Sequence, residues 1–280
     1  MNGWSLSLTW ELPIELERRI NEVCDHFEAA CKENARPTIE APNLVHSVAK
    51  ELRETLDRLF PEPINEDEPE TSVLQHIPNE EANRYVVQAQ KEGYFQAVDK
   101  ESLLQLAESE DVTIYVRCRP GAFLFETAEL VQVWPEQNVN EQFCAALRRA
   151  FIVGNARSPR QDPECPINEL VEIAVRALSP GINDPFTAWT CLDYLSAAVV
   201  QFVGRKGPSP VLRDREGNVR VLMELISFST VLDTAFSLIL HYGRSNAFVL
   251  KRWVKACERI ALHLRSPGHQ SDLKELVTRA

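Results

Sequence analysis

The sequence predicts an α+β chain, predominantly helical, with a small β-domain inserted before the main helical domain. Over much of the chain apolar residues recur at helical spacing, as in Ile167, Leu170, Val171, Ala174 and Leu178. Between residues 83 and 136 the period shortens to two, and β-branched and aromatic residues sit between Gly and Pro punctuation. Two polar loops, at 155–162 and 179–185, flank one central helix and mark where a site is expected.

In chain order, residues 12–34 read as an amphipathic helix with Leu16, Ile20, Val23, Cys24, Phe27 and Cys31 on one stripe, ended by Arg36 and Pro37. A second helix follows Pro42, with Leu44, Val45, Val48, Leu52, Leu56 and Leu59 on its stripe. Pro61, Pro63 and the acidic run at 65–70 form a solvated linker. The expected organisation is an N-terminal helical segment over 1–63, a linker over 64–82, the β-domain over 83–136 and a helical domain over 137–280.

Within the β-domain, residues 85–98 read as two short strands, or one bent strand, around Gly93. Residues 100–109 form a short helix, and 112–117, 123–125 and 130–134 are strands. From Asn140 a helical stripe of Phe143, Leu147, Ala150 and Phe151 leads into the first polar loop. The central helix starts at Pro166 and stops at Ser179-Pro180-Gly181, where Gly181 takes the left-handed conformation that closes it. Asp184 caps the next helix and Pro185 opens it. A hairpin near 211–222 and helices around 228–242, 248–264 and 273–277 complete the chain.

At 280 residues the chain is near the upper size for one core. Its hydrophobic content of 44% and charged content of 25% are those of an ordinary globular protein. A net charge of −11 argues against nucleic acid as a partner, which needs a basic face, and against simple docking on anionic lipid. The seven cysteines are scattered with no CxxC pair and read as reduced, buried thiols. The six histidines show no HxxxH or HExxH spacing, so neither a metal site nor a cofactor is expected. Residues 1–12 lack the basic start and apolar run of a signal peptide. No stretch reaches the roughly 18 apolar residues of a membrane helix; the nearest, 192–203, carries Asp193 and Gln201.

The pattern from GYFQAVD (93–99) through RPGAFLFETAELVQV (119–133) resembles barrel-sandwich folds of the biotinyl/lipoyl type. No lysine stands at a hairpin tip in a matching context, so this likeness implies shape and not a carrier function. A second resemblance covers more of the chain. ARSPRQD (156–162) and INELVEIAVRALSPGINDPFTAWTCLDYL (167–195), with GYFQAVD, RPGAF (119–123) and TAFSLILHYGRS (234–245), look like the signature of a bacterial family, domain of unknown function two-two-five-four. Its members are described as predicted membrane proteins. The family supplies no established activity, so the resemblance implies architecture. The family pattern has membrane helices before the segment matching 42–60, where this chain has the amphipathic stretch instead. The expected location is cytoplasmic, with membrane-anchored relatives.

The candidate ligand-binding residues are Arg157, Arg160, Gln161, Asp162, Arg176, Ser179, Asn183, Asp184 and Thr187. Arginine forks hold carboxylate or phosphate, and two helix starts nearby add positive potential. Each residue also has a structural reading: the loop arginines can pair with Asp162 and Glu164, Arg176 with Glu172 one turn earlier, and Asp184 can serve as a cap. The central helix is on the order of 20 Å long, so the two loops begin at opposite ends of it. The function expected is a binding or regulatory module that takes a small anionic ligand or a partner at the two loops. The alternatives are a hydrolase or transferase using Asp162 or Asp184 with an arginine clamp, and a structural homo-oligomer.

Overall fold

The computed structural model describes residues 41–63, 73–78 and 83–279. The helix expected over 12–34, with Cys24 and Cys31, lies outside the described residues, as does most of the acidic linker.

Helix α1 (Ala41–Leu59) buries Val45, Val48, Leu52 and Leu56. Leu44, expected on the same stripe, is 54% exposed, because it sits one residue, about 100° of helix, off Val45. After α1 come β1 (Glu62–Pro63), β2 (Tyr85–Gln88), β3 (Gly93–Val98) and helix α2 (Lys100–Ser109), which Asp99 caps through the N–H groups of Glu101 and Ser102. Next are β4 (Thr113–Val116), β5 (Phe123–Leu124), β6 (Glu129–Trp134), α3 (Glu141–Arg149) and β7 (Phe151–Gly154). Helices α4 (Glu164–Ala177) and α5 (Pro185–Val203) follow, then β8 (Arg205–Lys206), β9 (Val211–Arg213) and β10 (Val219–Met223). The chain closes with α6 (Phe228–Gly243), α7 (Ala247–Ala261) and α8 (Pro267–Thr278).

The architecture is α+β and predominantly helical, with two main cores. Helix α1 packs with α4 to α8 around Leu52, Leu170, Leu192, Phe236 and Trp253. A second core, around Phe95, Leu103, Ile114, Val131 and Leu147, is enclosed by two sheets with α2 and α3. One sheet has the order β2-β6-β4-β10-β9, the other β5-β3-β7. The expected barrel-sandwich shape does not form: these sheets stay open and share no strand. The residues around Gly93 become two strands in different sheets, since β2 pairs with β6 while β3 pairs with β5 and β7. Strand β7, expected as the end of a helical stripe, runs antiparallel to β3, with Phe151 opposite Val98. The 211–222 hairpin joins the large sheet, where β10 runs parallel to β4.

Helix α5 is long and apolar enough to cross a membrane by length and composition alone. The sequence breaks this stretch at Asp193, but in the helix Asp193 pairs with Arg252 and Arg259 of α7, leaving the apolar face continuous. That face is buried in the helical core through Ala188, Cys191, Leu192, Leu195 and Val199.

Candidate functional site

The first polar loop ties the β half to the helical half. Asp162 is 1% exposed. Its Oδ2 accepts from Arg157 Nε and Nη2, and its Oδ1 accepts from the Glu164 N–H at 3.0 Å, which opens α4 two residues before Pro166. Burial raises the Asp162 carboxyl above its ordinary range, and the Arg157 charge opposes that rise. Gln161 both donates to and accepts from the Val98 backbone at 3.0 Å, at the end of β3 beyond its pairing with β5. Arg160 is exposed, and its guanidinium has no partner among the described residues; its carbonyl and that of Pro159 accept from Arg58. Gln96 donates to the Ala156 carbonyl at 2.7 Å. Above the ion pair passes the 119–121 turn. Gly121 has φ +97°, and a Cβ there would lie 2.5 Å from Asp162 Oδ2 and 2.6 Å from Arg157 Nη2. Only glycine permits this approach.

The second loop is occupied by capping. Asp184 Oδ1 accepts from the N–H groups of Phe186 and Thr187, and Oδ2 accepts from the Thr187 hydroxyl at 2.7 Å. The Ser179 hydroxyl donates to the Arg176 carbonyl. Arg176, 73% exposed, pairs with Glu172 on its own helix. The left-handed residue is not Gly181, as expected, but Asn183, at φ +48°. Asn tolerates that conformation, and there its N–H donates to the Ser179 carbonyl. The length of α4, about 20 Å at 1.5 Å per residue, separates this loop from the first.

A cleft of about 560 Å³ opens between the two halves, beside the first loop. It is bounded by the end of α1, the starts of α2 and α4, the 119–120 turn, and the segments after β8 and β10. Of the expected residues, Gln161 and Asp162 line it, and Arg157 stands behind Asp162; the 179–187 residues do not reach it. Its walls are largely apolar, including Leu59, Phe60, Met223, Leu225 and Ile226.

Four acidic and four basic side chains line the cleft, Glu62, Asp162, Glu164 and Glu224 with Arg58, Lys100, Arg119 and Lys206. Asp162 is held by Arg157, Glu164 by Arg119 at 3.6 Å and the Thr234 hydroxyl at 3.1 Å, and Glu224 by the Tyr115 hydroxyl at 2.6 Å. Burial, then Glu224, pushes the Tyr115 phenol up to about 12, so it stays a donor. Arg58 is bonded to the Thr55 hydroxyl and to backbone carbonyls, without a carboxylate. Lys100 is half-buried with no hydrogen-bond or ion-pair partner among the described residues, and burial lowers its pKa below the ordinary lysine value.

Sequence reasoning missed both cations. The one local signal for Lys100 is a lysine in a helix's first turn, where the dipole disfavours it. Among the described residues no three His, Cys, Asp or Glu side chains group as metal ligands. Burial pushes the Cys118 and Cys165 thiols up to about 11, and those of Cys191 and Cys257 to about 12, so at neutral pH they are not thiolate nucleophiles.

Residues 33–259 match the family described as Predicted membrane protein (DUF2254). The chain is 26% identical to Uncharacterized protein Rv1290c of Mycobacterium tuberculosis, over 83% of this chain and 45% of that protein. Uncharacterized protein Mb1321c of Mycobacterium bovis matches with the same identity and coverage. The chain therefore spans about half the length of the curated relatives it matches. No solved structure matches.

Proposed function

The chain belongs to the DUF2254 predicted membrane protein family, and from that premise we propose that it is a ligand-binding, regulatory module which takes a small anionic ligand in the cleft between its helical and β halves. The observation that carries this reading is the pair Arg58 and Lys100, cations without a carboxylate partner on a chain of net charge −11. A half-buried ammonium without a counter-ion is costly, and a bound anion supplies the missing charge.

The walls come from both halves, so a bound ligand ties them together and transmits occupancy to whatever the module contacts. The loop at 155–162 supports the cleft floor through Asp162 and Gln161, while the loop at 179–185 caps α5 and lies outside the ligand's reach. The described residues then form a domain beside the bilayer, with α5 as its core helix. Thermal-shift measurements with inorganic phosphate, acetate and organic acids test the reading. Anions stabilise the wild-type chain, and Lys100→Met loses that response while keeping its fold. Absence of any anion-dependent shift in the wild type overturns the proposal.

A further inference from the structure

We infer that the ligand of this cleft is an amphiphilic anion, with a carboxylate or phosphate head at Lys100 and Arg58 and an alkyl or acyl body along Phe60, Leu225 and Ile226. This rests on the anion-site reading above and adds the ligand's class. A cleft of about 560 Å³ has the size of pockets that hold an organic ligand, and is many times the roughly 30 Å³ share of one water. A bare inorganic anion would satisfy the two cations and leave most of the apolar wall facing water.

The apolar wall also has room at Gly207. Gly207 lies between Phe60 and Leu225, and a Cβ added there would touch Leu225 Cδ1 and Phe60 Cε1, each at 3.9 Å. Its φ is not in the left-handed region, so backbone strain does not require glycine there. Both distances are ordinary van der Waals contact, so a side chain at 207 fits there and takes up space along the apolar wall. Pro61, Pro120, Pro163 and Pro208 stand around the cleft, each with its φ fixed by the ring. Such a frame loses little freedom when a chain is laid against it.

The same chemistry, an anionic head on an acyl chain, is offered by a free amphiphile and by a bilayer lipid. Calorimetry on the full chain with acetate, hexanoate, octanoate and decanoate below their micellar concentrations tests the inference. Affinity is expected to rise by about fourfold per added methylene as the body enters the cleft. Octanol, without the charge, is expected to bind at least tenfold more weakly than octanoate. Gly207→Leu is expected to flatten the chain-length dependence while leaving phosphate binding intact. If that variant does not fold, Leu225→Ser supplies the same readout.

Equal affinity for acetate and decanoate overturns the amphiphile and leaves the anion site standing. No binding by any anion overturns both, and octanol binding as tightly as octanoate removes the role of the charged head. Vesicles containing phosphatidylglycerol separate the sources. Displacement of octanoate by them assigns a lipid head, and no displacement assigns a free amphiphile.

Discussion

Arg157 donates from both Nε and Nη2 to one oxygen of Asp162, at 2.8 and 2.7 Å, and so pairs a carboxylate that water scarcely reaches. Its other oxygen opens α4. Removing the arginine leaves a buried charge that must be protonated or resolvated. Arg157→Ala is expected to cost about 3 kcal/mol in urea unfolding. Arg157→Lys should recover only part of this, because an ammonium cannot reproduce the two-nitrogen approach.

The turn above that pair makes a second demand. At Gly121 a Cβ meets two atoms locked in the ion pair, and φ is +97°. Gly121→Ala is expected to destabilise by at least about 2 kcal/mol, strain and overlap adding. A melting temperature unchanged from wild type would show that the turn can move away from Asp162.

Asn183 and Gly181 should respond in opposite ways. Asn183→Ala puts an ordinary residue at φ +48° and is expected to cost about 1 kcal/mol. At Gly181 nothing lies within 4 Å of an added Cβ and φ is not left-handed. Gly181→Ala is expected to gain about 0.5 kcal/mol by restricting the unfolded chain. Thermal melts of the two variants check the pair.

Acid stability has one assignable source in the hairpin. Burial pushes the Asp214 carboxyl up, but hydrogen bonds from Asn218, Arg220 and the N–H groups of Asn218 and Glu216 outweigh it and hold the pKa at about 2. A carboxyl lowered on folding binds fewer protons in the native state than in the unfolded chain, where its value is near 3.8. Its stabilisation is therefore complete above that value and is lost as pH falls toward about 2. Asp214→Asn is expected to flatten the stability curve in that window, read by unfolding between pH 2 and 5.

Many features set by neighbouring residues were legible in the sequence, although the left-handed residue after the central helix is Asn183 and not Gly181. Asp184 caps the helix that follows it and Pro185 opens it, and the helical stripe around Leu170 buries as its spacing implies. Features set by distant pairing were not. Phe151 looks helical until Val98 is placed opposite it, and the β10 partner Ile114 lies more than a hundred residues from Val221. The site divides in the same way. The oddity of Arg157, Gln161 and Asp162 shows in the loop itself, but their partners Val98 and the Gly121 turn are remote in sequence. Lys100 and Arg58 carry no motif and become a candidate site only because the fold places both on the wall of one cleft.

The most direct test of the anion-binding cleft is calorimetric titration of wild type and Lys100→Met with hexyl phosphate, repeated at alkaline pH in buffers of different ionisation enthalpy. Burial lowers the Lys100 pKa in the free protein, and an anion beside it raises that value, so binding draws in a proton above the free-state pKa. The predicted result is one site per chain, proton uptake in the wild type, and affinity at least tenfold weaker without uptake in Lys100→Met. Equal affinity in the two proteins, with no proton linkage in either, would contradict the assignment of the cleft as the anion site.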